Sequence, residues 1–110
     1  MTQEKTLVVR VLFLREGDSY VAQCLEYDIA AQGKTMPEVK RAFELTLAGQ
    51  MELDVRSGKQ PFEGIPKAPD TYWEMFDKAL KLEDEEPISL PKGVPPPFVV
   101  SEIVKELRVF

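Results

Sequence analysis

The sequence predicts an α+β domain: an antiparallel sheet of three to four strands packed by one long helix, with a second short helix and a proline-rich C-terminal extension. Three observations predict it. Residues 7–14 and 20–25 are rich in β-branched and apolar residues on a two-residue repeat. Thr35-Met36-Pro37-Glu38 opens a stretch whose apolar residues recur at helical spacing, and eight of the nine prolines fall beyond residue 60. A period of two marks a half-buried strand and a period of 3.6 an amphipathic helix. At 110 residues the chain is expected to be a single domain. Residues 1–58 would form a β-β-β-α core, and residues 59–110 an extension of the same unit.

The first strand is the clearest element. Leu7, Val9, Val11 and Phe13 line one face, and Arg10 marks the other as more exposed. Arg15 to Ser19 reads as a hairpin loop, because Gly17 and Asp18 tolerate positive φ. A second strand follows over Tyr20–Leu25. Glu26-Tyr27-Asp28 interrupts the chain before a short third strand, Ile29–Gln32, that stops at Gly33. Thr35 and Glu38 then form a capping-box pair, with Pro37 in the first turn where its missing N–H is not needed. Val39, Ala42, Phe43, Thr46 and Leu47 supply the helix's apolar stripe, and Ser57-Gly58 its stop. Gly49 weakens the middle of that helix, which leaves a break or a close contact open there.

Beyond residue 60 one more helix is expected, over residues 71–82. Thr71 and Glu74 give a second capping-box pattern, and Trp73, Phe76, Ala79 and Leu80 form one stripe. Residues 87–97 read as loop. The tail from Phe98 suits a helix through Val99, Val100, Ile103, Val104 and Leu107, and suits a strand as well. A strand over Leu107–Phe110, added to a sheet edge, is the favoured form.

Composition narrows the function. The chain is 44% hydrophobic and 30% charged, as in ordinary globular proteins, and lacks the run of about 18 apolar residues that a membrane span requires. Residues 1–6 lack the basic start and small-residue cleavage site of a secretory signal. The single cysteine, Cys24, permits no internal disulfide, so a cytoplasmic location is expected. The net charge is −5 and there is no histidine. Nucleic-acid binders carry basic surfaces, so a direct nucleic-acid partner is not expected. An acidic domain favours a basic protein partner.

The stretch Tyr20-Val21-Ala22-Gln23-Cys24-Leu25-Glu26, followed by Ala31-Gln32-Gly33-Lys34-Thr35-Met36-Pro37-Glu38-Val39, resembles the HicB antitoxin signature. In that family a strand with Tyr-x-Ala leads through a Glu-containing turn to a short strand. Gly-x-Thr and an acidic residue three positions later then open an amphipathic helix. With the first strand the resemblance covers residues 7 to about 57. It implies a degenerate ribonuclease-H-like fold without nuclease activity, which neutralises a small basic RNA-cleaving toxin by occlusion. The chain departs from the family in two ways. Tyr27-Asp28-Ile29 stands where Pro-Gly-Cys is often found. The 28 residues after Leu82, five of them proline, do not comfortably hold the ribbon-helix-helix or helix-turn-helix module that many members append.

The candidate partner-binding residues, chosen on charge, are Glu26, Asp28, Glu83, Asp84, Glu85 and Glu86. The candidate oligomer interface is Trp73 with Phe76, since exposed strand edges and an aromatic helix favour self-association. No cofactor, metal or catalytic residue is expected. Asp18, Glu26, Asp28 and Glu44 are weighed as a two-magnesium nuclease cluster, yet each also suits a turn or a solvated helix face. Cys24 lies in mid-strand with no histidine to activate it, so a buried thiol is the better reading. Tyr72, Trp73 and Phe76 are weighed as a stacking platform for single-stranded RNA, but their acidic helix favours packing. An antitoxin-type binding module is the leading expectation. The alternative is a homo-oligomeric structural or regulatory module of the same fold with no toxin partner.

Overall fold

The computed structural model describes residues 4–81 and 94–107. Along them run β1 (Lys5–Glu16), β2 (Ser19–Cys24), β3 (Ala30–Gly33), α1 (Met36–Arg56), α2 (Asp70–Lys78), β4 (Leu80–Lys81) and β5 (Phe98–Glu106). The fold is α+β, with one sheet in the order β3-β2-β1-β5-β4. β1, β2 and β3 form the expected antiparallel meander, with Glu16 opposite Ser19 at the first turn. Gly17 takes φ +57 there, and Asp18 does not need a positive φ.

The sheet is mixed rather than wholly antiparallel, because β5 runs parallel to β1 from Lys5↔Phe98 to Phe13↔Glu106. A parallel neighbour requires a long crossover, and the helices and proline-rich segment between the two strands provide the length. The C-terminal strand thus occupies residues 98–106, between β1 and β4, and begins well before the expected Leu107 start. Leu107 closes the pairing by donating its N–H to Phe13 O at 2.9 Å, and Arg108–Phe110 lie outside the described residues.

Between Val9 and Leu14, β1 contributes buried side chains to a packed layer on each face. On one, Val9, Val11 and Phe13 join Ala22, Cys24 and Val100 beneath Val39, Phe43, Leu47 and Met51 of α1. Those four helix positions recur every four residues, so one stripe of α1 faces the sheet. Thr46, expected on that stripe, is exposed and donates its hydroxyl to Ala42 O at 2.8 Å. On the opposite face Leu12, Leu14, Val21 and Leu25 pack against Phe76 of α2, with Tyr72, Trp73 and Leu107 around them.

The α1 cap follows its sequence pattern with one shift. Thr35 is the N-cap and its hydroxyl accepts from Glu38 N at 3.2 Å, but the Glu38 carboxylate reaches back to Lys34 N at 3.0 Å rather than to Thr35 N. At the other end Gly58 adopts φ +77. The amides of Gly58 and Lys59 donate to Val55 O and Asp54 O, a Schellman closure. The helix is unbroken at Gly49. The second helix is shorter than expected, 70–78 rather than 71–82, and its capping box does not form. Pro69 occupies the N-cap and makes no side-chain bond, so Thr71 already lies inside the first turn.

Residues 59–69 carry the chain from one face of the sheet to the other. Asp54, buried in α1, accepts Phe62 N at 2.8 Å and Gln50 Nε2 at 3.0 Å, holding Phe62 at φ +65 against Tyr27. Pro66 O then accepts Asp28 N, and Ala68 N donates to Leu25 O. These contacts deliver α2 to the second face.

Gly33 is where the sheet touches the start of α1. A Cβ there would lie 2.6 Å from Val39 N and 2.9 Å from Val39 Cα, both backbone atoms. Gly33→Ala is therefore expected to destabilise the domain by about 1–3 kcal/mol, read from urea unfolding.

Candidate interaction surface beside α2

The second sheet face is only partly covered. α2 lies over Leu12, Leu14, Val21 and Leu25, which leaves Val8 51% and Ile103 40% exposed on β1 and β5. Alternation puts Val8, Arg10 and Leu12 on this face, and the register sets Ile103 directly beside Arg10. The Arg10 guanidinium lies 5.5 Å from the centre of the Trp73 ring and is ion-paired with Glu26. Glu26 also accepts the Arg10 backbone N–H, so one carboxylate fixes both ends of that residue. Trp73 is half-buried and donates its ring N–H to Ala68 O at 3.2 Å. On the outer side of α2, Asp70, Glu74 and Asp77 are exposed at spacings of four and three, which places three carboxylates on one stripe beside Trp73. An aromatic, an arginine and two aliphatic side chains bordered by acid match the make-up of protein-binding centres.

The residues singled out in the sequence divide. Glu26 is held within the chain by Arg10. Asp28 is exposed, and accepts from Gln23 Nε2 at 3.0 Å. Glu83, Asp84, Glu85 and Glu86 lie outside the described residues. Phe76 is 5% exposed and packs inside the second core. The Lys105 ammonium caps its carbonyl at 3.2 Å and lies 4.6 Å from its ring centre. Trp73 belongs to the surface just described. Asp18 sits in the hairpin turn and Glu44 on α1, away from the Glu26–Asp28 turn. No group of three or more His, Cys, Asp or Glu placed to hold a metal ion occurs among the described residues. Cys24 is fully buried, and burial pushes its thiol up to about 11. No described helix is long and apolar enough to cross a membrane.

Glu102, not singled out in the sequence, is the most perturbed acid among the described residues. It follows Val100 and precedes Val104 on the β5 face that looks toward α1, and its Oε1 is buried without a hydrogen-bond partner. Burial, with the Glu44 charge adding to it, pushes the carboxyl up to about 7. The period-two pattern of Val100, Glu102 and Val104 was its signal.

No family model matches the chain, and no curated protein or solved structure matches it.

Because the Glu102 pKa is raised on folding, the folded state holds a proton that the unfolded chain releases. Its stabilising contribution is complete below the ordinary carboxylate range and is lost as pH rises through about 7. Thermal melts are expected to fall between pH 5 and 8. Glu102→Gln should flatten that dependence and gain on the order of 1 kcal/mol at pH 8.

Proposed function

We propose that this domain is a non-catalytic, HicB-like antitoxin-type module of the cytoplasm, which docks a small basic RNA-cleaving toxin and neutralises it by occlusion. The observation that carries the reading is the open sheet face beside α2. Val8, Ile103, Arg10 and Trp73 offer an apolar and aromatic centre there, with the Asp70, Glu74 and Asp77 stripe at its border. A basic partner gains its approach rate from the acidic stripe and its lifetime from the buried centre. The β-β-β-α order with a Gly33–Thr35–Glu38 corner supports the resemblance seen in the sequence. Asp28 belongs to the proposed contact surface as an exposed acid, and Glu26 belongs to it through the Arg10 side chain that it orients.

Occlusion asks only for tight, specific docking. The centre has the means to supply it, since Trp and Arg dominate measured interface energetics. The acid stripe is more exposed and contributes mainly to the encounter, so its effect should fade with salt.

A pull-down of the tagged protein from lysate of its own host should retain a small basic protein at low salt and release it at high salt. Trp73→Ala and Val8→Lys should each weaken that complex by roughly 10- to 100-fold in calorimetric titration with the retained protein. Val8→Lys, at an exposed position, should leave the melting curve of the free domain almost unchanged, whereas Trp73→Ala should also lower it, because the ring packs on the second core. Glu74→Lys should cost less, about three- to tenfold, and should make binding less salt-sensitive. Recovery of the domain alone would remove the toxin and favour the homo-oligomeric module.

A further inference from the structure

We propose that the outward face of α1 is a self-association surface, on which a second copy of this chain lays its own α1 in antiparallel orientation. Helical spacing places Glu38, Ala42, Leu45, Gly49, Glu52, Leu53 and Arg56 along one line, opposite the Val39–Phe43–Leu47–Met51 stripe buried on the sheet. Leu45 and Leu53 are each 59% exposed, the highest values among the large apolar side chains of the described residues. Between them, one turn from each, lies Gly49. A Cβ at Gly49 would meet nothing within 4 Å, so nothing inside the chain requires a glycine there. Glycine weakens a helix interior, and its gain is room for another backbone or side chain to approach. The face is a shallow notch between two leucines.

Charge identifies the occupant and its register. When two such helices lie antiparallel with each Leu45 resting on the other's Gly49, Glu38 falls opposite Arg56 and Arg41 beside Glu52. Two-fold symmetry repeats each pair. Sliding the helices by a turn, so that Leu45 meets Leu53, sets Glu38 opposite Gln60 and Arg41 opposite Ser57, and all four ionic pairs are lost. Glu52 and Arg56 already bridge within the helix at 2.7 Å, so the second copy's charges extend that pair into a network. Antiparallel helices also oppose their dipoles favourably. The surface complements itself, as an isologous interface must. It faces away from the sheet on the side opposite α2, so the association is independent of the binding proposed for the Trp73 face.

The test is sedimentation of the full chain over a concentration series. A concentration-dependent dimer is expected. Leu45→Glu and Leu53→Glu should each weaken it by more than about a hundredfold, with circular dichroism unchanged and the melting curve unchanged at dilutions where the wild-type chain is monomeric, because both positions are exposed in the monomer. Arg41→Glu alone and Glu52→Arg alone should each weaken self-association by about tenfold or more, since each sets like charges against one another twice. Mixing those two variants should restore a dimer, because each chain then faces its opposite. A merely structural effect of either substitution would not be cured by mixing. A wild-type chain that stays monomeric, a dimer insensitive to Leu45→Glu, or a mixture that fails to pair would each overturn the proposal.

Discussion

β1 must be paired along both edges and covered on both faces, and no single neighbouring segment is able to do both. Its alternation sends Val9, Val11 and Phe13 to one side and Leu12 and Leu14 to the other, all of them buried. β2 takes one edge through a short hairpin, whereas the other edge waits for β5. α1 covers the first face and α2 the second, so the chain has to cross over the end of the sheet between them. The contacts of residues 59–69, from Asp54 with Phe62 to Leu25 with Ala68, serve that crossing. The proline-rich character of this stretch follows from it: a segment that spans two layers needs turns and extended backbone more than regular structure.

The same constraint explains what the sequence revealed and what it hid. The meander and α1 were legible because each carries its own local signal: alternation in residues 7–14, a glycine at the hairpin, and Thr35, Glu38 and Gly58 at the helix ends. β5 was obscure for a physical reason. Val99 and Ile103 point to one face and Val100 and Val104 to the other, so apolar residues stand side by side and the two-residue repeat is blurred. The apolar neighbours that look helical in residues 98–107 belong to a strand with both faces in use. Thr71 and Glu74 carried a capping pattern that the Pro69 start made redundant. The parallel register is a tertiary fact, set by the open edge of β1, and leaves no mark within residues 98–106 themselves.

For the surface, residue type was legible and placement was not. Trp73 stood out as an aromatic on an acidic helix, and it does border an exposed face. Phe76, three residues on, shares its side of the helix but is sunk in the second core, whereas Trp73 lies at the rim. Glu26 looked like a free acid until the fold brought Arg10, sixteen residues earlier, against it. Val8 and Ile103 look like ordinary strand residues in sequence. Their exposure results from the shortness and course of α2, whose nine residues start beside Arg10 and run toward Lys105 rather than over Val8. Whether a side chain is spent inside the molecule or left for a partner is decided by such lengths, and composition does not record them.

The pairing of β1 with β5 also bears on how the chain is made. Lys5 and Phe98 meet across nearly the whole length of the polypeptide, so an emerging chain shows β1 to its surroundings long before its parallel neighbour has been assembled. At about 5–20 residues per second, the interval between completing β1 and completing β5 is on the order of 5–20 s. During it, β1 holds a hairpin on one side and a bare row of backbone donors and acceptors on the other. The nascent hairpin therefore keeps one strand edge open to mispairing until residues 98–106 have been made.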